Sequence, residues 1–452
     1  FMYGMPRYAD GSSLGLSRST FLNPAWNRRD YQGVTTHIEL EQGLGSDWIA
    51  RVTATRVDAQ MKYKEGHLIW SSVGADGTSY PEAYLAKYDD VQSGVEVLLS
   101  GTVNLFGRSH DLQVGANWQK HNYTWDDQPL DVGNQPLDLL NWNPYALAEP
   151  RNDQTLDRWL SFNELRQRGV FARARVRLTD RLSLIGGGRV SWYESVYRDD
   201  PNVAKQDGEF TPFGAAVFDL NDSWSVYASH ARIFQPQSSL RSFSGAALPP
   251  KFGTNIEAGI KGELMAGKLN ISLAAFQVDE TNRAQIDPVN PPTGGRSFYV
   301  AVGEVRSEGF EFEINGTLTP QWSLFGGYTY NTTEYRRDRN FQGLEFSTLT
   351  PRHLAKLWST FRPQALDGKL SLAGGVTAQS EQYNRQGALK IGQGGYAIVA
   401  ALIGYQFSDK VQVALNADNL LDKYYYQNPG YLGGGAYYGS PRSFAVTVRA
   451  KY

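Results

Sequence analysis

The last stretch of the chain, SFAVTVRAKY from Ser443 to Tyr452, alternates in character. Phe444, Val446, Val448, Ala450 and Tyr452 are apolar, and Ser443, Thr447, Arg449 and Lys451 are polar. This is the two-residue period of a strand with one greasy and one wet face. The period recurs throughout. In NIEAGIKGEL, Ile256, Ala258 and Ile260 oppose Asn255, Glu257 and Lys261. In VQSGVEVLLSG, Val91, Val95, Val97 and Leu99 share a face. RSEGFEFEING sets Phe310, Phe312 and Ile314 against Glu311 and Glu313, and DWIARVTATR aligns Trp48, Ala50, Val52 and Ala54. YAIVAALIGY is apolar on both faces, so its orientation is not legible.

The connections between these runs alternate in length. Short ones fall at 43–47, 107–109, 179–181, 221–223, 265–268, 319–321, 363–368 and 408–409, with turn-forming residues in each. Long ones fall near 61–82, 126–164, 199–208, 235–252, 284–304, 337–349, 386–394 and 423–441, rich in Gly, Pro, Asn and aromatics. About seventeen strands result, with almost no helical periodicity, and the fold class is all-β, antiparallel and meandering. A propeller would show a blade-length repeat, and none is present. A sandwich would not alternate short and long connections so regularly. A transmembrane β-barrel does, with short turns on the periplasmic side and long loops outside. If the last strand descends to the periplasm, residues 1–30 form an external loop. Barrels have even strand numbers, and plugged transporters have about 22. The expectation is therefore about 17 of 22 strands, with the plug and first strands upstream of Phe1.

Composition fits this picture. The net charge is −2 and no Cys is present, which removes a nucleic-acid footprint, disulfides and thiolate chemistry. Aromatic residues make up 13% of the chain, with 26 Tyr and 11 Trp. Tyr396–Tyr405 is the longest apolar run, about half of what a membrane helix needs. No signal peptide precedes the Gly- and Arg-rich opening, which reads as the cut end of a longer protein.

Several stretches resemble the TonB-dependent siderophore receptors, among them the ferric coprogen, rhodotorulic acid and pyoverdine receptors. They are YASHARIFQPQ (227–237), 253–284, 299–335, TPRHLAKLW (350–358), NADNLLDKYYY (416–426) and GSPRSFAVTVRAKY (439–452). Their order and spacing make the resemblance specific, and it covers the chain from Tyr3 onward. It implies a 22-stranded barrel around an N-terminal plug, in the outer membrane of a Gram-negative bacterium. It implies a ferric siderophore bound at the outer face, and uptake energised by TonB–ExbB–ExbD through the plug. It also implies that the assembly machinery reads the last strand through Phe444, Val446, Val448 and the terminal aromatic Tyr452, where Phe is commoner. Other readings are a passive porin, or a receptor for cobalamin or haem.

Enzyme chemistry has little support. The six His are scattered, and His110 beside a short turn is expected at the surface. Glu311 and Glu313 fit a charged lumen wall better than a catalytic pair. The iron of a siderophore arrives fully ligated, so neither a metal site nor a cofactor is expected. The ligand candidates are loop residues that offer stacking surfaces and donors: Trp70, Trp142, Tyr145, Tyr431, Tyr437 and Tyr438. Gln235 and Gln237, at the start of an external loop, suit either ligand contact or loop capping. Membrane-girdle packing is the alternative for any of the aromatics, and Trp48 is the girdle example. The partners expected are lipid, the ligand and the TonB system, with no nucleic acid, and the receptor is expected to be a monomer.

Overall fold

The structure, a computed structural model, describes all residues except 1–3, 69–71, 153–158, 198–202, 293–296 and 452. One antiparallel sheet of seventeen strands carries the chain. The strands are Arg28–Leu44 (β1), Trp48–Leu68 (β2), Pro81–Leu105 (β3), Arg108–Leu130 (β4), Trp159–Arg177 (β5) and Leu182–Tyr197 (β6). Then come Ala204–Asn221 (β7), Trp224–Arg241 (β8), Ala247–Leu264 (β9), Leu269–Ile286 (β10), Tyr299–Thr319 (β11) and Trp322–Arg337 (β12). His353–Phe361 (β13), Leu370–Gln379 (β14), Tyr396–Ser408 (β15), Val411–Asp418 (β16) and Ser443–Ala450 (β17) complete it. Every strand pairs with its neighbours in the chain. Among the described residues β1 and β17 do not pair with each other.

The expected alternation of connections holds. Short turns join β1–β2, β3–β4 and each later pair in step, and the long loops lie between these pairs. The strands are longer than their sequence runs suggest. A tilted strand of about 9–11 residues crosses a membrane, yet β3 has 25 residues and β4 has 23. The excess builds a hydrogen-bonded wall beyond the long-loop end. The expected loop at 235–252 is therefore mostly sheet: β8 runs to Arg241 and β9 resumes at Ala247, with register shifts at Gln235/Gln237 and Gln237/Arg241.

Register places all the apolar faces on one side. Ile256 and Ile260 of β9 align with Gln277 and Leu273 of β10, and Leu273 with Phe312 of β11. At the far end Ala417, Leu415 and Val413 of β16 align with Phe444, Val446 and Val448 of β17. These last three are 62%, 68% and 64% exposed, on an edge strand whose eight residues are all exposed. The opposite face is polar and lines the lumen. There Glu257 accepts a hydrogen bond from the Tyr227 hydroxyl at 2.5 Å, and Glu311 and Glu313 stand near them. Trp48, Trp224 and Trp322 each open a strand directly after a short turn, on the outer face, forming a lower aromatic girdle. Trp48 lies across Gly101, where a Cβ would come within 2.3 Å of the indole.

His110 departs from its expected surface position. It is 5% exposed, and its Nδ1 accepts from the Arg177 N–H while Nε2 lies 3.1 Å from the Leu105 carbonyl. The accepting Nδ1 puts the proton on Nε2. The ring thus satisfies the Leu105 carbonyl beside the tight Phe106–Gly107 turn and the Arg177 N–H at the end of β5.

Candidate functional site

The residues that could meet a ligand lie at the long-loop end, in two layers. The inner layer is the lumen face of β2, β3 and β4 above the membrane. Period two puts Tyr63, Glu65 and His67 of β2 on this face. It adds Glu82, Tyr84 and Tyr88 of β3, and His121, Tyr123, Trp125 and Asp127 of β4. Antiparallel register brings them edge to edge. Tyr88 stacks on Trp125 with ring centroids 5.1 Å apart, and Tyr63 and Tyr123 flank it at 5.8 and 5.7 Å. His67 lies parallel to Tyr84 at 5.4 Å, and the Arg29 guanidinium sits 5.0 Å above the Tyr63 ring. Such contacts contribute about 1 kcal/mol each beyond burial, so the wall is rigid before any ligand arrives.

Charge is built into this wall. Glu65 is 2% exposed and accepts from Arg29 at 2.8 Å. Asp127 is 8% exposed, and its Oδ1 has no hydrogen-bond partner among the described residues. Burial first, then nearby Asp126 and Glu65, push the Asp127 carboxyl above its ordinary range. Burial likewise raises the hydroxyls of Tyr84 and Tyr88, which stay neutral donors.

The outer layer is a cap of interlocked loops. Residues 4–27 run across it. The Met5 N–H donates to the Ala436 carbonyl at 2.7 Å, and the Arg7 N–H donates to Leu432 at 2.8 Å. The Arg7 side chain is 6% exposed and donates to the carbonyls of Pro429 and Gly11. Its guanidinium lies 5.0 Å from the Tyr426 ring, and burial lowers its pKa. On the other side, Tyr8 bridges to Val73, and Ala25 donates to Pro144. The segment therefore links the β2–β3 and β4–β5 loops to the last loop, on the side where β1 and β17 stand unpaired. Met5, Leu22 and Ala436 form the cap's apolar core.

The expected ligand residues divide between these surroundings. Trp142 and Tyr438 come together on the Met5–Leu22–Ala436 core. Tyr438 stacks on Tyr426 at 4.6 Å, and its hydroxyl donates to the Leu16 carbonyl. Trp142 Nε1 is buried with no partner among the described residues. Tyr145, Tyr431 and Tyr437 are 79%, 49% and 40% exposed. Trp70 and Tyr452 lie outside the described residues. Gln235 is an exposed strand residue opposite Lys251. Gln237 is buried and fully engaged. Its Nε2 donates to the Pro249 and Asn282 carbonyls at 2.8 and 2.7 Å, and its Oε1 accepts from the Ala284 N–H. These are the bonds a loop cap makes, one of the two roles expected for Gln237. Sequence reasoning passed over the inner wall because it ended the β2 run near 61 and looked for ligand residues in loops and at their starts rather than along strands. The signal was in HNYTWDD, where His121, Tyr123, Trp125 and Asp127 keep the period of two. Among the described residues, no group of three or more His, Asp or Glu is placed to hold a metal ion.

Comparison with known proteins agrees with this architecture. The model of the family "TonB dependent receptor-like, beta-barrel" matches residues 3–420. The ferric-pyoverdine receptor PbuA of a Pseudomonas strain is 32% identical over 476 residues, covering 99% of this chain and 56% of its own length. The ferripyoverdine receptor of Pseudomonas aeruginosa is 31% identical, with 98% and 54% covered. The chain thus spans little more than half the length of these relatives. Among solved structures, the pyoverdine outer membrane receptor FpvA of Pseudomonas aeruginosa, bound to pyoverdine, superposes with a TM-score of 0.88 at 28% identity, over 99% of this chain and 66% of that one. Strand order, outward apolar face and match to the family model agree: the chain is an outer-membrane barrel and belongs to the TonB-dependent receptor-like β-barrel family.

Proposed function

We propose that the chain serves as the ligand-recognising barrel of a receptor that takes up ferric siderophores, of the pyoverdine kind bound by its relatives. The observation that carries this is the pre-stacked Tyr63–Tyr88–Trp125–Tyr123 wall, facing a polar lumen beneath the cap. A ferric chelate is bulky, partly apolar and coordinatively complete, so it needs faces and donors rather than metal ligands. The wall supplies both, and the exposed Tyr145, Tyr431 and Tyr437 would meet the ligand first. Iron is cargo. Energy for uptake would come from TonB–ExbB–ExbD, and insertion of the monomer from the barrel-assembly machinery acting on the last strand. The test is equilibrium binding of labelled ferric pyoverdine to folded receptor. Replacing Tyr88 by Ala removes three ring contacts, and affinity should fall about tenfold or more. Tyr145→Ala should cost less. Parent-like binding by Tyr88→Ala, with the fold intact, would refute the wall as the site.

A further inference from the structure

The outer face carries a feature that ligand uptake does not use. Above the apolar band on β4–β7, register aligns Trp118 with Arg168 and Arg168 with Trp192, so Arg168 stands between two Trp residues across the ladder. Arg168 lies 5.4 Å from the Trp192 ring. One step further from the membrane, Lys120 aligns with Arg166, and Arg166 with Glu194, which is opposite Lys205. Trp118, Arg166, Arg168, Trp192, Glu194 and Lys205 line a recess of about 280 Å³.

Height fixes what the recess faces. Trp118 and Trp192 each stand ten residues above the short-turn ends of their strands, which begin at Arg108 and Leu182. Ten residues at ~3.3 Å, tilted ~40°, rise ~25 Å, the height of a barrel's apolar band. The indoles therefore sit at the upper membrane boundary, and the cations just beyond it. Only the headgroups of the outer leaflet can cover an outward surface at that level. Lys120 and Arg166 share Glu164, Arg166 also approaches Glu194, and Lys205 pairs with Asp207. Arg168 is different: it is exposed, and among the described residues it has no carboxylate partner. A guanidinium flanked by girdle aromatics, with no anion of its own, matches a phosphate presented by a lipid whose chains pack on the indoles.

We propose that this recess binds the phosphorylated headgroup of an outer-leaflet glycolipid, with Arg168 as the anchoring cation and Trp118 and Trp192 as the interfacial seat. The site is separate from the lumen wall, and its ligand is structural lipid rather than cargo.

The test is native mass spectrometry of folded, detergent-solubilised receptor titrated with diphosphoryl lipid A, with lipid A stripped of both phosphates, and with inorganic phosphate. The parent should retain diphosphoryl lipid A at least fivefold more tightly than the stripped form, and inorganic phosphate should not displace it. Losing one surface cation should cost about fivefold. Arg168→Gln should show that loss, and Arg168→Lys most of the parent affinity. Arg306→Gln, which removes an outward guanidinium already bound to Asp279 at 2.6 Å, should behave like the parent. Heat-modifiable migration reports folding for each variant. Equal retention by Arg168→Gln and parent, equal affinity for stripped lipid, displacement by inorganic phosphate, or no binding by the parent would each overturn the proposal.

Discussion

Replacing Gln237 by Ala separates a staple from a ligand contact. The side chain ties three strands where β8 and β9 extend past the membrane. It donates to the Pro249 and Asn282 carbonyls and accepts from the Ala284 N–H, while Asn282 Nδ2 donates back to the Pro250 carbonyl. Asn282 holds a left-handed φ of 60°, so the β10 bulge stores strain that these bonds offset. Alanine removes three hydrogen bonds worth about 1 kcal/mol each net, and leaves buried groups unpaired unless water reaches them. Rim exposure nearby allows partial rescue, so a local cost of about 2–4 kcal/mol is expected. This is local opening rather than global unfolding, because the membrane-spanning part of β8–β10 keeps its ladder. The assay is native-state hydrogen exchange of the Ala284 amide, whose protection should fall about 30- to 1000-fold. Gln235→Ala, on an exposed side chain, should leave that amide unchanged. Unchanged protection in Gln237→Ala would refute the staple. Unchanged protection together with lost siderophore affinity would return Gln237 to the ligand.

Val446→Asp puts a carboxylate on the lipid face opposite Leu415; a penalty of about 2 kcal/mol should lower the yield of heat-modifiable barrel in outer membranes, and an unchanged yield would contradict the outward assignment. Phe106 is 97% exposed and holds a left-handed φ of 52° in its two-residue turn, so Phe106→Asn should raise stability by about 1 kcal/mol in denaturant titration. For Asp127, the raised carboxyl means that the folded state binds more protons than the unfolded one between the ordinary carboxylate range and the folded value. Stability conferred by the protonated form is therefore present at low pH and lost as pH rises through that window. Asp127→Asn should flatten the decline of melting temperature as pH rises above the ordinary carboxylate range, relative to the parent. Identical slopes would mean that the carboxyl is solvated.

Local rules determined much of this protein. Period-two alternation in NIEAGIKGEL and RSEGFEFEING fixes which side chains face lipid, because successive Cβ atoms of a strand point to opposite faces whatever the fold. Turn chemistry fixes the hairpins, and with them strand order, because short turns can join only antiparallel neighbours. The inner wall was legible in part: Tyr123 and Trp125 obey the same period, but only pairing shows that their strand continues past the membrane, where Tyr88 completes the stack. What no local rule could supply is the cap. Arg7 meets Pro429 across 422 positions of sequence, and a loop's conformation follows from whichever distant groups satisfy its backbone. The same holds for Gln237, whose sequence neighbours suggested a loop and whose role comes from carbonyls on β9 and β10. Alternation sets the faces of the barrel; long-range hydrogen bonding decides which side chains remain free at its mouth.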